Sequence, residues 1–259
     1  MPPSTYDILN KAWKSTCRAL IGGEVGELDD FSAYLRTYSE DVQQASSILS
    51  EKQITISDRL FSKGASFISN DELEAYAKSL SARQFRPGDI KDIDSLLSAA
   101  QEMACYSGNI VKGNSSFVED ANSVSDSFYV YRSFEVFGSK YVAYSCNSRL
   151  DEYMFGGNWS GDSKFIINCS QTYRQTRCME TMRTFTSSDC YYTANLEGCQ
   201  DCFFCFNQRS KRHMMGNLQL SADEYSGKKA ELVSQIRDIM DAKKRAPTLL
   251  DVMNNGNGP

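Results

Sequence analysis

Between about Phe117 and Gly216 the apolar positions return every twelve residues without an insertion. One column reads Val118, Val130, Val142, Met154, Ile166, Cys178, Cys190, Cys202 and Met214. The column beside it reads Tyr131, Ala143, Phe155, Ile167, Met179, Tyr191, Phe203 and Met215. Three residues before the first column stand mostly small polar residues, such as Ser127, Ser139, Asp151, Ser163 and Ser187. Three residues after it stand Ser133, Ser145, Gly157, Cys169, Thr181 and Thr193. Each unit therefore predicts a short apolar strand bracketed by small turn residues. A register held through eight units predicts a repeat architecture whose equivalent residues stack along one axis, with strands ~4.8 Å apart. The expected fold is α+β: a helical N-terminal region, a central parallel β-solenoid (β-helix) with 12-residue repeats, two or three units to each coil, and a C-terminal capping helix. An antiparallel meander or barrel shares the strand spacing but does not require the column identities to persist.

Two adjacent apolar columns raise a geometric question, because neighbouring strand residues point to opposite faces. One column fills the interior. The other is either covered by the flanking helices or left as an apolar stripe that marks a contact surface.

The flanks read as helical. Tyr6, Leu9, Ala12, Trp13, Cys17, Leu20 and Ile21 fall at helical spacing and Gly22-Gly23 ends the run. Asp29 or Asp30 is placed to cap a short helix with Phe31, Tyr34 and Leu35, and Asn70-Asp71 opens another helix. Arg86-Pro87-Gly88 is a break, after which Asp89 is placed to cap a helix through Ile93, Leu96, Leu97 and Met103. The piece from Gln53 to Ser69 is ambiguous and admits a strand or hairpin. Beyond the repeat, Ser221 and Glu224 match a capping box ahead of Leu232, Ile236, Ile239 and Met240. The expected divisions are thus 1–110 mainly helical, 111–220 solenoid, 221–245 C-terminal helix, and 246–259 a flexible tail or a docking peptide built on Leu249, Leu250, Val252 and Met253.

Composition narrows the function classes. The 259 residues carry 28 Lys and Arg against 33 Asp and Glu, a net charge of -5, which argues against nucleic acid as a partner. No apolar run is long enough to span a membrane, and the opening Met1-Pro-Pro-Ser lacks a signal-peptide pattern. Nine cysteines, an odd number, then fit reduced thiols in a cytoplasmic setting, where most serve as small core residues.

The candidate chemistry is thin. Cys199, Cys202 and Cys205 with His213 are the weak candidates for a metal site, but the thiols coincide with the repeat columns, so the expectation is no metal and no cofactor. The basic run Arg209, Lys211 and Arg212 opens the last unit and is a candidate for an acidic or phosphorylated ligand. Tyr129, Tyr141 and Tyr153 share one column and are candidate binding aromatics, either as stacking platforms for sugar rings or as interface anchors. Asp151, Glu180, Asp189 and Asp201 supply carboxylates, with Arg177 in the same column as the last two. A single His and the absence of a nucleophile-elbow motif exclude serine-based acyl transfer, and no catalytic residue is assigned.

The stretch Gly161 to Cys169, with Asn207 to Asn217, resembles a family of uncharacterised, cysteine-containing β-solenoid proteins found mainly in archaea and candidate bacterial phyla. The resemblance covers the second half of the chain and implies the fold without an activity. The order of helices, β-helix and terminal helix is also similar to the scaffold subunits of sulfur-mobilisation machinery, at the level of fold alone. The resulting expectation is a non-enzymatic interaction or assembly protein whose rigid solenoid engages a protein partner or a second copy, as a homo-oligomer. A carbohydrate-active β-helix enzyme and a metal or iron–sulfur scaffold are the alternatives.

Overall fold

The computed structural model describes residues 3–57, 64–81, 88 and 90–254. Its centre is a parallel β-solenoid of about nine turns spanning residues 111–215. Residues twelve apart are direct neighbours: Val142 pairs with Val130 below and Met154 above, Ile166 pairs with Cys178, and Cys190 pairs with Cys202. The stacking is that expected from the repeat, but each twelve-residue unit closes a whole coil by itself. Two or three units per coil would have placed neighbours 24 or 36 residues apart.

A coil this small needs a corner every three residues, and the backbone supplies one. Tyr129, Arg132, Glu135 and Gly138 have φ of 59°, 45°, 53° and 59°, and the left-handed position recurs every third residue along most of the solenoid. The residue after each corner turns inward, so four side chains per coil fill the interior. Non-glycine residues adopt this conformation at a cost of ~1 kcal/mol each, and the coil sustains it because every turn is hydrogen-bonded to the next, as in Lys140 N–H to Asp151 O at 2.8 Å.

The small polar column is therefore not an outer turn. Ser127, Ser139, Asp151 and Ser163 all point inward and are fully buried, and each accepts a hydrogen bond from the backbone amide twelve residues on. Ser139 N donates to Ser127 Oγ at 3.0 Å, Asp151 N to Ser139 Oγ at 3.1 Å, Ser163 N to Asp151 Oδ1 at 2.9 Å and Gln175 N to Ser163 Oγ at 3.1 Å. Each such bond contributes ~1 kcal/mol, and together they tie one corner of the tube along its length. On the next side of the tube, Val130, Val142, Met154, Ile166, Cys178, Cys190 and Cys202 form the apolar file.

The neighbouring apolar column is covered by the chain itself. Helix α1 (Thr5–Ile21), helix α2 (Ser32–Leu35) with the turn before it, and the long helix Ala222–Lys243 bury Tyr131, Ala143, Phe155, Ile167, Met179, Tyr191 and Phe203. Trp13 is wedged between Phe31 and Phe155, with ring centroids 5.1 and 5.4 Å away. Of the two outcomes the sequence left open for this stripe, cover by the flanking helices is the one found, so self-association through it is closed. Helix α1 begins at a Ser4–Asp7 capping box and ends at left-handed Gly22, while the short helical turn at Leu28 has Glu27 at its N-cap and Asp30 completing the capping box by accepting from Glu27 N at 3.0 Å.

Between α2 and the solenoid lies a small mixed unit. Strands β1 (Gln43–Ser46) and β2 (Gln53–Ile56) pair antiparallel, and β3 (Phe67–Ser69) pairs with β4 (Tyr106–Gly108) in parallel. Helix α3 (Leu73–Ser81) follows a Ser69–Glu72 box, and α4 (Ile93–Met103) is capped by Asp92. Arg86, Pro87 and Asp89, the expected break and cap, lie outside the described residues. At the other end, Ser221 and Glu224 form the expected capping box of α5, the Ala222–Lys243 helix. The final helix, α6 (Leu249–Asn254), returns to the solenoid, with Ala246, Thr248 and Leu249 buried.

Candidate functional site

The solenoid presents its residues in straight files, so a site can be read side by side. The corner file that contains Tyr129, Tyr141 and Tyr153 runs from Phe117 to Phe165, with successive ring centroids 4.8, 5.0, 4.7 and 4.6 Å apart and the rings stacked. Each inner ring thus has its faces against its neighbours, leaving edges and hydroxyls for the exterior. Such a ladder stabilises the coil stack and leaves its three tyrosines no free ring face for a sugar.

The same file continues as charge. Arg177 donates from Nε and Nη2 to Asp189 at 2.8 and 2.6 Å, and Lys229 of α5 reaches Asp201 at 3.3 Å. His213 Nε2 stands 3.9 Å from Asp201 and beside Tyr225. The carboxylates at 189 and 201 are therefore already engaged, and Lys229, 3.9 and 3.3 Å from them, ties α5 to the solenoid.

The two carboxyls pushed upward lie elsewhere, and both are buried. Asp151, inside the tube, is raised to about 6 by burial against the hydrogen bonds of Ser148, Ser160 and the Ser163 amide. Glu180, under α6, is raised to about 7 by burial against the hydrogen bonds of Tyr38, the Leu249 amide and Asn168. An acid–base pair for glycoside cleavage needs both carboxyls at an open groove; these two open onto none.

Cys199, Cys202 and Cys205 project into the tube from three different sides of adjoining coils, whereas His213 stands on an outer corner. Among the described residues no three His, Cys, Asp or Glu side chains are grouped to hold a metal ion. Burial pushes the thiols of Cys169 and Cys199 up, which keeps them protonated.

Arg209, Lys211 and Arg212 also diverge. Arg209 pairs with Glu197 at 3.2 Å, Arg212 donates to Gln200 Oε1 at 2.6 Å, and Lys211 is exposed at the inward position of the last coil. Here the stack ends. The strand Phe206–Arg209 has a neighbour on one side only, and the Asn217 side chain closes part of its free edge, accepting from Phe206 N at 2.8 Å and donating to Phe206 O at 3.1 Å. Charged residues on a free edge oppose uncontrolled strand addition.

The solenoid face left uncovered by helices was not singled out by the periodicity. Two outward files flank its inward column: Asn147, Trp159, Gln171, Arg183 and Asn195 in one, Phe137, Arg149, Gly161, Tyr173 and Phe185 in the other. Trp159 is 63% exposed, Phe137 51%, and Tyr173 and Phe185 44% each. Gly161 leaves a gap over which the Tyr173 ring leans, since a Cβ at 161 would lie 3.1 Å from its Cδ2. Shallow depressions of about 370 and 350 Å³ lie on this face, one beside Phe137 and Arg149, the other beside Arg183 and Phe185. The sequence signal was available as large aromatics in an otherwise polar file, but without the fold nothing distinguished them from the buried ones. No helix among the described residues is long and apolar enough to cross a membrane. No family model, no curated protein and no solved structure matches the chain.

Proposed function

We propose that this chain is a binding scaffold with no chemistry of its own, and that its working surface is the uncovered face carrying Trp159, Phe137, Tyr173 and Phe185. The observation that carries the reading is asymmetry of cover. Three helical segments and the terminal segment bury one apolar file from Tyr131 to Phe203, yet the opposite face keeps four large aromatics in water beside Arg149 and Arg183. Exposed aromatic and arginine residues on a rigid support are the usual anchors of a protein interface. Rigidity matters because the files are fixed by hydrogen bonds between coils, so little ordering entropy remains to be lost on binding. The partner fitting this face is a folded protein.

The test compares cross-linked and co-purified partners of the wild-type chain with those of a Trp159→Ala/Phe185→Ala variant and a Lys228→Ala control on α5. Partners retained by the control and lost from the double variant support the reading. An identical partner set in all three rejects it. A concentration-dependent dimer in light scattering that the double variant alone abolishes would identify the partner as a second copy.

A further inference from the structure

We propose that a polar cleft between the β1–β2 hairpin and the first solenoid coils binds a neutral polyhydroxylated ligand of mono- or disaccharide size. This site is separate from the exposed aromatic face, and its volume is about 550 Å³, within the range of small-molecule sites. Arg36, Asp41, Gln53, Asp120 and Arg132 line it, with Gln44, Thr55 and Asn109 forming one wall.

The lining is preorganised. The Arg36 guanidinium lies over the Tyr144 ring at 4.7 Å and Arg132 lies over the Tyr131 ring at 5.1 Å. Those rings are themselves anchored, since their hydroxyls donate to the two oxygens of Asp29 at 2.5 and 3.3 Å. On the opposite wall, Gln44 Nε2 donates to Thr55 Oγ1 at 3.1 Å, Thr55 N donates to Asn109 Oδ1 at 2.8 Å, and Asn109 Nδ2 donates to Gln53 O at 3.3 Å. Few groups would have to be ordered when a ligand enters.

Charge selects the ligand class. Arg36 Nε faces Asp41 Oδ1 at 3.1 Å and Arg132 Nε faces Asp120 Oδ2 at 3.6 Å. Two cations and two anions cancel, so the cleft has no net attraction for a simple anion. Each couple instead sets a donor beside an acceptor, and a hydroxyl is the group that satisfies both at once. Vicinal hydroxyls on a sugar ring present that complement repeatedly.

Calorimetric titration with glucose, galactose, maltose and cellobiose tests the proposal, with sodium glucuronate and inorganic phosphate as anionic comparators. The expected result is saturable binding of at least one neutral sugar, weakened by about tenfold or more in Arg132→Ala and in Asp120→Asn, the loss of one charge-assisted hydrogen bond. Trp159→Ala should bind as wild type, which separates this site from the aromatic face. Asp120→Asn, nearly isosteric and on the surface, guards against loss through misfolding. Absence of binding by every neutral sugar, binding confined to glucuronate or phosphate, or affinity unchanged in both cleft variants would each overturn it.

Discussion

The Tyr38 hydroxyl donates to Glu180 Oε2 at 2.6 Å, and the Leu249 amide donates to the same oxygen at 3.0 Å. One buried carboxyl thus joins the segment after α2, the solenoid and the terminal helix. Asn168 Nδ2 donates to Oε1 at 3.1 Å, and the remaining ionisable groups around it, Tyr34 and Tyr192, are neutral phenols whose own ionisation burial pushes far upward. No cation is present at this carboxyl among the described residues.

Its pH dependence follows from that setting. Glu180 rises from an ordinary 4.5 to about 7, and Asp151 from 3.8 to about 6, both chiefly through burial. The folded chain holds these protons more tightly than the unfolded chain, so their contribution is complete in acid and is lost as pH climbs through the folded values. For Glu180 the loss is on the order of 3 kcal/mol. Urea midpoints should therefore fall between about pH 4 and pH 7, and Glu180→Gln should flatten the upper part of that fall and exceed the wild type in stability at the alkaline end. A Glu180→Gln chain weaker than wild type above neutral pH would contradict the assignment.

Close coil contact makes glycine at 157 a different matter from glycine at 216. Gly157 has φ of 94°, and a Cβ there would lie 2.1 Å from Cys169 O, whereas at Gly216, with φ of 57°, nothing stands within 4 Å. Gly157→Ala is expected to cost more than about 3 kcal/mol because backbone in the next coil must move. Gly216→Ala should cost about 1 kcal/mol from the left-handed conformation alone. Thermal melts of the two variants against wild type give the comparison directly.

Removal of the Trp13 ring is expected to open the covered stripe. Trp13→Ala leaves a cavity against Phe31 and Phe155 and should cost about 3–5 kcal/mol. The variant should also bind a hydrophobic dye and self-associate, since Phe155, Ile167 and Met179 would lose their cover. A monomeric, dye-free variant of wild-type stability would show that the helices do not shield this file.

Thiol reactivity offers a further check. Eight of the nine cysteines are buried and only Cys105 is partly exposed. Burial raises the thiol of Cys146 to about 11 and pushes Cys17 and Cys169 up as well. An aromatic disulfide reagent should modify Cys105 first in the native protein, and the remaining thiols only on unfolding. Rapid native labelling at Cys190 or Cys202 would mean that the tube opens.

The alternation of columns made the solenoid legible before any coordinates, because a stack of identical coils requires equivalent residues at a constant interval. Three local features were harder to read. Ser139 and Ser163 looked like turn residues, since in sequence a small polar residue that bonds an adjacent coil is indistinguishable from one that faces water. The coil size was hidden because its corners use left-handed residues such as Tyr129 and Arg132, types that carry no turn signal. Glu180 and Leu249, 69 residues apart, are joined only when the terminal helix folds back.

The binding faces follow the same division. Column identity specified which residues share a file, so Tyr129, Tyr141 and Tyr153 were correctly placed together, but ring orientation belongs to packing, and packing turned their faces toward one another. The repeat fixes direction and interval along the axis. Which of the four sides is covered depends on where α1, α5 and α6 lie against it, a question of contacts distant in sequence. What the sequence determined by itself is therefore the axis and its register, through a periodicity that each coil can read from its neighbour. What tertiary structure decided is the choice of open surface, because burial of one file by helices and exposure of Trp159 on another are properties of the whole assembly and of no single repeat.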